Sequence, residues 1–414
     1  MQMPVMMMVE IADVNELASI DRGITEACRR FPSAALQKVV DLVERQAEAQ
    51  DPGRLRRKST ESRTLWLACG CAEFARRRYE DALEEKSYML FDLRVGLKPR
   101  ERVSAAARTL FANLASISPS YERARQQIEI LWGEAPSTTA IWDQVQAEGA
   151  ALGALVKDAR EGVFERGELP GADIPPRDFV AVETDSTMVD AWHVKAGHHE
   201  IYVGTAYDGK AYRGKTCRPE TTNQIAVTSL DGAQVFGQDL FVATQRKYNV
   251  CEARVLHYAS DGDDALETIR QTHFYRAEHQ LDHCHVTSKA YDAYGFEYRD
   301  EADEILGHIF GEKRDEFEAA IAADMRRYPS LRTRLSEYRD YILQRWSWIF
   351  VVRRLRKSNP HLEIPAHISG TGADERMVGT LVGHRMKDRG MGWTKDGAAN
   401  IMRVRLRTLG LQSL

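Results

Sequence analysis

Between Phe179 and Tyr294, apolar runs of strand length stop at acids or at Asp-Gly turns, and two of them pass directly into helical spacing. FVAVETD is apolar up to Asp185. EIYVGTAYDGK places Ile201, Tyr202 and Val203 before a turn at Asp208-Gly209. ARVLHYASDGDDALETIRQ reads as a buried strand (Val255, Leu256, Tyr258), a turn at Asp261-Gly262 and a helix. EHQLDHCHVTSKAYDAYG ends a short strand near Leu281 and opens another helix. Strands that alternate with helices predict a mixed α/β fold whose sheet includes some parallel pairs.

The flanks have other periods. Residues 161–178, EGVFERGELPGADIPPRD, are acidic and rich in Gly and Pro, which reads as a linker. Before it, residues 10–50 read as helix, with Leu36, Val39, Val40 and Val43 three to four residues apart. DPGRLRRKSTESR is a polar, basic break, and Thr64 to Tyr88 suggests short strands or a hairpin. Helices follow at Ser104–Ser116, at Ser120–Trp132 and from Ser137, a good N-cap; the last two have helix-turn-helix proportions. After the α/β stretch, residues 300–357 turn helical and charged, break near Pro329 and end in Arg353, Arg354, Arg356 and Lys357. One more amphipathic helix lines up Met377, Val378, Leu381, Val382 and Met386 before Gly390. The expected segments are 1–55 (helical), 56–98 (mixed or hairpin), 99–160 (helical, helix-turn-helix-like), 161–178 (linker), 179–299 (alternating strands and helices), 300–362 (helical) and 363–414 (terminal helix and basic tail).

Composition excludes several classes. Six cysteines without a C-x-x-C pair form neither a disulfide framework nor a zinc finger, and reduced thiols in the cytoplasm are the expectation. No apolar run is long enough to span a membrane, and the start, MQMPVMMMVEIADVNE, does not read as a secretory signal. A net charge of −4 argues against a uniformly basic coat, but the charge is unevenly spread. Residues 341–414 hold 13 Lys/Arg and 5 Asp/Glu, a net +8, which leaves −12 for residues 1–340.

Three acids fall where α/β proteins gather function. Asp185 and Asp261 end predicted strands, and Glu375 lies in the first turn of the last helix. Carboxylates are hard oxygen ligands suited to Mg²⁺ or Mn²⁺. Two such ions about 3.5–4 Å apart activate a water or a 3′-hydroxyl and stabilise the leaving oxygen of a phosphodiester. Spacing alone does not bring the three together, and solvated acids at strand ends are the alternative. Trp346 and Trp348 read either as core or as a base-stacking wedge.

Most of the chain, roughly residues 55–410, resembles the Lre-type bacterial insertion-sequence transposases, relatives of the Mutator-like enzymes. The resemblance is carried first by GTGADERMVGTLVGHRMKDRGMGWTKDGAANIMRVR. Next come ETDSTMV, YVGTAYDGK, ASDGDDAL and QLDHCH, and then SRTLWLACGCAEFARRRYED, the Gly-Leu-x-Pro-Arg turn at 96–100 and SYERARQQIEILWGEAPSTTAIWDQV. It implies an RNase H-like catalytic core interrupted by an all-helical insertion. It also implies a DDE-type transposase holding two Mg²⁺ or Mn²⁺ ions on Asp185, Asp261 and Glu375. Asp282 and His285 match a Cys-or-Asp, two spacers, His pattern that supports the site. The first motif departs from the pattern at Ser186, and the second at Asp263 and Asp264. The implied partners are double-stranded DNA, as terminal inverted repeats and target, and further copies of the chain in a dimer or larger assembly. Arg385, Lys387, Arg389, Trp393 and Arg403 are the candidates for phosphate contact, together with Arg405 and Arg407. Arg123, Arg125, Thr138, Thr139 and Gln144 are the candidates for reading the element ends. A domesticated DNA-binding protein and an RNase H-like nuclease without strand transfer are the rival expectations.

Overall fold

The computed structural model describes residues 4–50, 52–192, 197–212, 219–365, 372–387 and 391–412. Two units divide the chain, Met1–Glu148 and Gly149–Leu414.

In the first unit, helix α1 (Leu17–Gln50) begins later than the sequence reading had it and lays Val40 and Ala47 against an antiparallel meander. The meander consists of β1 (Leu55–Leu67), β2 (Gly70–Asp81) and β3 (Lys86–Met89). The stretch expected to be a basic break is therefore most of a strand. Cross-strand ion pairs explain why so polar a sequence pairs: Lys58 meets Glu80 at 2.7 Å and Arg78 meets Glu61 at 2.8 Å. Helix α2 (Leu90–Val95) supplies Phe91, whose ring meets Phe74 edge-on at 5.7 Å. Helices α3 (Ala105–Ile117), α4 (Tyr121–Trp132) and α5 (Thr138–Phe164) start at Ser104, Ser120 and Ser137, each accepting a backbone N–H in the first turn. Gly133, with φ +81°, closes α4 in the left-handed region. Only the first residues of α5 belong to this unit, and its end reaches into the expected linker.

The second unit is built on a five-stranded mixed sheet in the order β10-β9-β4-β5-β8. Its strands are β4 (Phe179–Asp190), β5 (His198–Tyr207), β8 (Ile225–Ser229), β9 (Val255–Ser260) and β10 (Glu278–Leu281); a small ribbon pairs β6 (Gly209–Ala211) with β7 (Glu220–Thr222). β5 runs antiparallel to both β4 and β8, whereas β9 is parallel to β4 and β10 to β9. Successive side chains of a strand point to opposite faces, so the sheet has two distinct sides. On one side Val180, Val182, Leu256 and Tyr258 bury against α6 (Ala233–Tyr248) and α7 (Asp264–His273). α6 lies so close that a Cβ on Gly204 would sit 2.8 Å from Phe236 Cζ and 2.9 Å from Leu240 Cδ2. The other side carries polar groups, described below.

A helical segment follows. α8 (His283–Tyr294), α9 (Arg299–Phe310), α10 (Arg314–Arg327) and α11 (Arg332–Gln344) bury Ile305, Ile309, Phe317, Ile321, Leu335 and Ile342 together. Trp346 stacks on Phe317 at 5.8 Å, and both Trp346 and Trp348 pack against this core, in keeping with the core reading of these two residues. α12 (Val351–Ser358) brings Val352 back to the polar side of the sheet, beside Phe179 and Tyr207. The expected single amphipathic helix is two pieces: α13 (Ala373–Val378) and a π-helical stretch, Gly379–Lys387. Gly390 lies outside the described residues. Last, α14 (Lys395–Thr408) runs against β8, and Arg405 donates to the Thr380 carbonyl at 2.9 and 2.7 Å, tying the π-helical stretch down.

Candidate active site

Strand register brings three acids into one row. β4 and β9 pair as far as Glu183 and Ala259, and carrying that register two residues on sets Asp185 beside Asp261. β9 and β10 pair as far as Ser260 and Leu281, and one further step sets Asp261 beside Asp282. The Asp282 N–H donates to the Ser260 carbonyl at 2.8 Å, so pairing reaches that point. In parallel strands, residues level with one another share a face. Asp185 is not at the end of its strand as expected. β4 runs on to Asp190, and only its pairing with β9 stops near the acid.

The electrostatics agree with the register. Burial raises the Asp185 carboxyl above the usual carboxylate range; the neighbouring charges of Asp261 and Asp282 push the same way, while His285 opposes them. Asp282 caps α8, accepting from the backbone N–H groups of Cys284 at 3.2 Å and His285 at 3.3 Å. Its Oδ2 also lies 2.6 Å from His285 Nδ1. That hydrogen bond, then the carboxylate charges of Asp282, Asp185 and Asp261, lifts the imidazole above its ordinary value. The fourth acid, Glu375, comes from α13, which packs on β4 and β5. Its carboxylate hydrogen-bonds the thiol of Cys284, one residue from His285. Among the described residues no three or more His, Cys, Asp or Glu side chains converge tightly enough to hold a metal ion as they stand.

Two carboxyls that the sequence reading passed over lie beneath this row. Glu183 is fully buried and receives the N–H groups of Gly372 (3.0 Å), Ala373 (2.8 Å) and Asp374 (3.2 Å) on Oε2, and the Tyr207 hydroxyl on Oε1. It thereby caps α13 from the sheet. Asp374 is buried beside it. Burial first, then the charges of Glu183, Asp282 and Asp185, hold the Asp374 carboxyl protonated well above the usual range. Glu183 had a signal: in ETD it stands two residues before Asp185, hence on the same face.

The raised Asp374 carboxyl makes stability depend on pH. A carboxyl whose pKa rises on folding adds stability below its unfolded pKa and loses it as pH climbs through the folded value. Asp374→Asn keeps an oxygen for the Glu375 N–H, 2.8 Å from Asp374 Oδ1, and a donor for Glu183. Melting curves at pH 5 and pH 8 check the consequence. The parent should lose more on going to pH 8, where the variant should melt about 3–6 °C above it. Parallel pH curves would place the proton elsewhere.

The expected DNA contacts divide. Lys387 is exposed and its ammonium meets the Thr187 hydroxyl, two residues along β4 from Asp185. Arg385 is instead buried, only 2% exposed, with its guanidinium 5.1 Å above the Trp393 ring and Nη1 3.6 Å from Met391 Sδ. Trp393 is itself buried: its N–H donates to Asp190 O at 2.9 Å, and its carbonyl accepts from Trp192 N–H at 2.8 Å. Arg403 is half-buried, 3.1 Å from Asn400 Oδ1, and lies over Gly153. Arg385 and Arg403 face inward, because an amphipathic helix turns part of its basic set toward the core, where the long aliphatic stems pack, and Trp393 is held between the two helical stretches by its bridge to Ala191. Arg389 lies outside the described residues.

In the first unit Arg125 is paired with Glu122 at 3.0 Å and Glu129 at 3.1 Å, and Gln144 accepts from Arg108 at 3.2 Å. Arg123 reaches Gln126 at 2.9 Å on the exposed side of α4; Thr139 is exposed and Thr138 half-buried.

One family model matches residues 10–410, nearly the whole chain. The chain belongs to the uncharacterised protein family UPF0236. No curated protein sequence matches it. Both the acid row and the Glu183–Asp374 pair lie within the span that defines UPF0236 membership. The described residues contain no helix long and apolar enough to cross a membrane.

Proposed function

We propose that this UPF0236 protein is a DDE-type DNA transposase, which cuts phosphodiester bonds at the ends of its element and joins the 3′-hydroxyl to target DNA. The observation that carries the reading is the row of Asp185, Asp261 and Asp282 across three adjacent strands, with Glu375 brought to α8 by a helix packed on the sheet. The topology supports it. Three antiparallel strands in succession, then two parallel strands added on the far side of the first, are the make-up of an RNase H-like core. On this reading α9 to α12 are the helical insertion between the last strand and the last acid.

The chemistry of the residues fits phosphoryl transfer. Clustered carboxylates repel one another, and a divalent cation relieves that repulsion with the hard oxygen donors it prefers. Asp185, Asp261 and Glu375 would hold two Mg²⁺ or Mn²⁺ ions, which supply the activated oxygen and stabilise the leaving one. His285, hydrogen-bonded to Asp282 and raised in proton affinity, would bind a phosphate oxygen. Lys387 offers a phosphate contact beside β4. Since two ends must be joined to one target, the active form is a dimer or larger.

Incubation with linear DNA carrying the element's ends, a plasmid target and Mg²⁺ tests this. Mg²⁺-dependent nicks at the ends and joined products are expected. Hydrolysis without joined products would make it a nuclease. Tight end binding without nicks under Mg²⁺ or Mn²⁺ would make it a DNA-binding relic.

A further inference from the structure

The helical segment has contacts beyond its own core. Two of its side chains reach the loop that carries Asp261, and a third supports it through His279. The Tyr341 hydroxyl, at the end of α11, donates to the Asp261 carbonyl at 2.8 Å. Arg345 Nη2 donates to the Gly262 carbonyl at 3.3 Å, and the Arg345 guanidinium lies 4.7 Å above the Tyr341 ring. Gly262 has φ +82°, and a Cβ there would stand 2.7 Å from Arg345 Nε. Glycine thus serves twice, for the left-handed turn and for the close approach of Arg345.

The third contact works from behind. Trp348 packs its ring 4.5 Å from that of His279. His279 Nε2 lies 3.1 Å from Ser260 Oγ, and the same hydroxyl accepts the Gly262 N–H at 3.3 Å. The other imidazole nitrogen of His279 is 3.0 Å from Glu267 of α7. Asp261 Oδ1 in turn accepts the Asp263 N–H at 2.8 Å, so the side-chain direction follows the backbone of this turn. Residues 260–262 are therefore held by hydrogen bonds from α11 on one hand and by the Trp348–His279–Ser260 stack on the other.

We infer that Tyr341 and Arg345 are positioning residues for Asp261: the helical segment fixes the angle at which that carboxylate meets a divalent cation. The inference rests on the function proposed above and adds a role for the segment. Phosphoryl transfer tolerates little misplacement of its ligands, and small displacements far from the reacting atoms cost large factors in rate. A ligand on a turn after a strand is more loosely set than one in mid-strand such as Asp185, so it is the one in need of external support.

Tyr341→Phe removes one hydroxyl and keeps the ring on which Arg345 lies. Mn²⁺ binding, followed by the loss of the free-ion paramagnetic resonance signal, reads the site without activity; nicking and the melting temperature are measured alongside. Asp261→Asn is the reference. Expected for Tyr341→Phe are Mn²⁺ affinity about five- to tenfold weaker, nicking about tenfold slower with partial recovery at high Mn²⁺, and an unchanged melting temperature. If Asp261→Asn abolishes Mn²⁺ binding and Tyr341→Phe binds like the parent, the positioning role is wrong and the active-site reading stands. If Asp261→Asn also binds and cuts like the parent, the reading itself fails and takes this inference with it.

Discussion

Asp185→Asn should slow DNA cleavage by about a thousandfold or more while leaving the fold and DNA affinity as they are. Asp185 is half-buried, and burial works against its charge. Its neighbours Asp261 and Asp282 add like-charge repulsion. A carboxylate kept in such a place costs stability, so removing its charge should not unfold the unit. Asn is close to the same shape and retains an oxygen for the Ser186 N–H, which Asp185 Oδ1 accepts at 2.7 Å. Loss of one preorganised electrostatic group commonly costs 10²–10³ in rate, and loss of a charged metal ligand stands at the upper end. Initial rates on end DNA at saturating Mg²⁺, with melting curves and a binding titration, give the answer. A variant that cuts within tenfold of the parent would remove Asp185 from the chemistry.

Glu183→Ala is expected to have the largest effect on stability. The carboxylate accepts three backbone N–H groups at the start of α13 and the Tyr207 hydroxyl, all inside the protein. Alanine leaves those donors buried without water or partner, at about 1–3 kcal/mol for each that cannot rearrange. It also removes the acceptor that Asp374 uses. A net loss of roughly 3–5 kcal/mol is reasonable, which for a unit of this size lowers the melting temperature by about 6–15 °C. Because α13 carries Glu375, cleavage should fall as well, even below the melting transition. Glu183→Gln should lie between, since its amide keeps one oxygen but turns an N–H₂ toward existing donors. A Glu183→Ala protein that melts within 2 °C of the parent would show that α13 does not need this cap.

Sequence reading reached those parts of the structure that rest on local rules. Ser104, Ser120 and Ser137 announced three helix starts, because an N-cap needs only its own first turn. Asp261 and Asp282 were legible as strand ends, since apolar runs stop there. The first part of β1, residues 55–63, was read as a break because its support is non-local: Lys58 and Arg78 pair with acids on or across from β2, which no window along the chain reveals. The burial of Arg385 and Trp393 was missed for a related reason. Their partners are each other, Met391 and the end of β4, so composition counted Arg385 as surface charge. Glu183 and Asp374 were overshadowed by the neighbours that matched a motif. Their roles appear only when the N-terminus of α13 is seen against β4, almost two hundred residues earlier in the chain.

On the proposed function, two divalent ions and a DNA end meet on the polar side of the sheet. Anomalous diffraction from a crystal of the protein with end DNA and Mn²⁺ tests it most directly. Two manganese peaks about 3.5–4 Å apart are expected, bounded by Asp185, Asp261 and Glu375 with the scissile phosphate between them. Manganese bound elsewhere, or a DNA end seated away from these three acids, would contradict it.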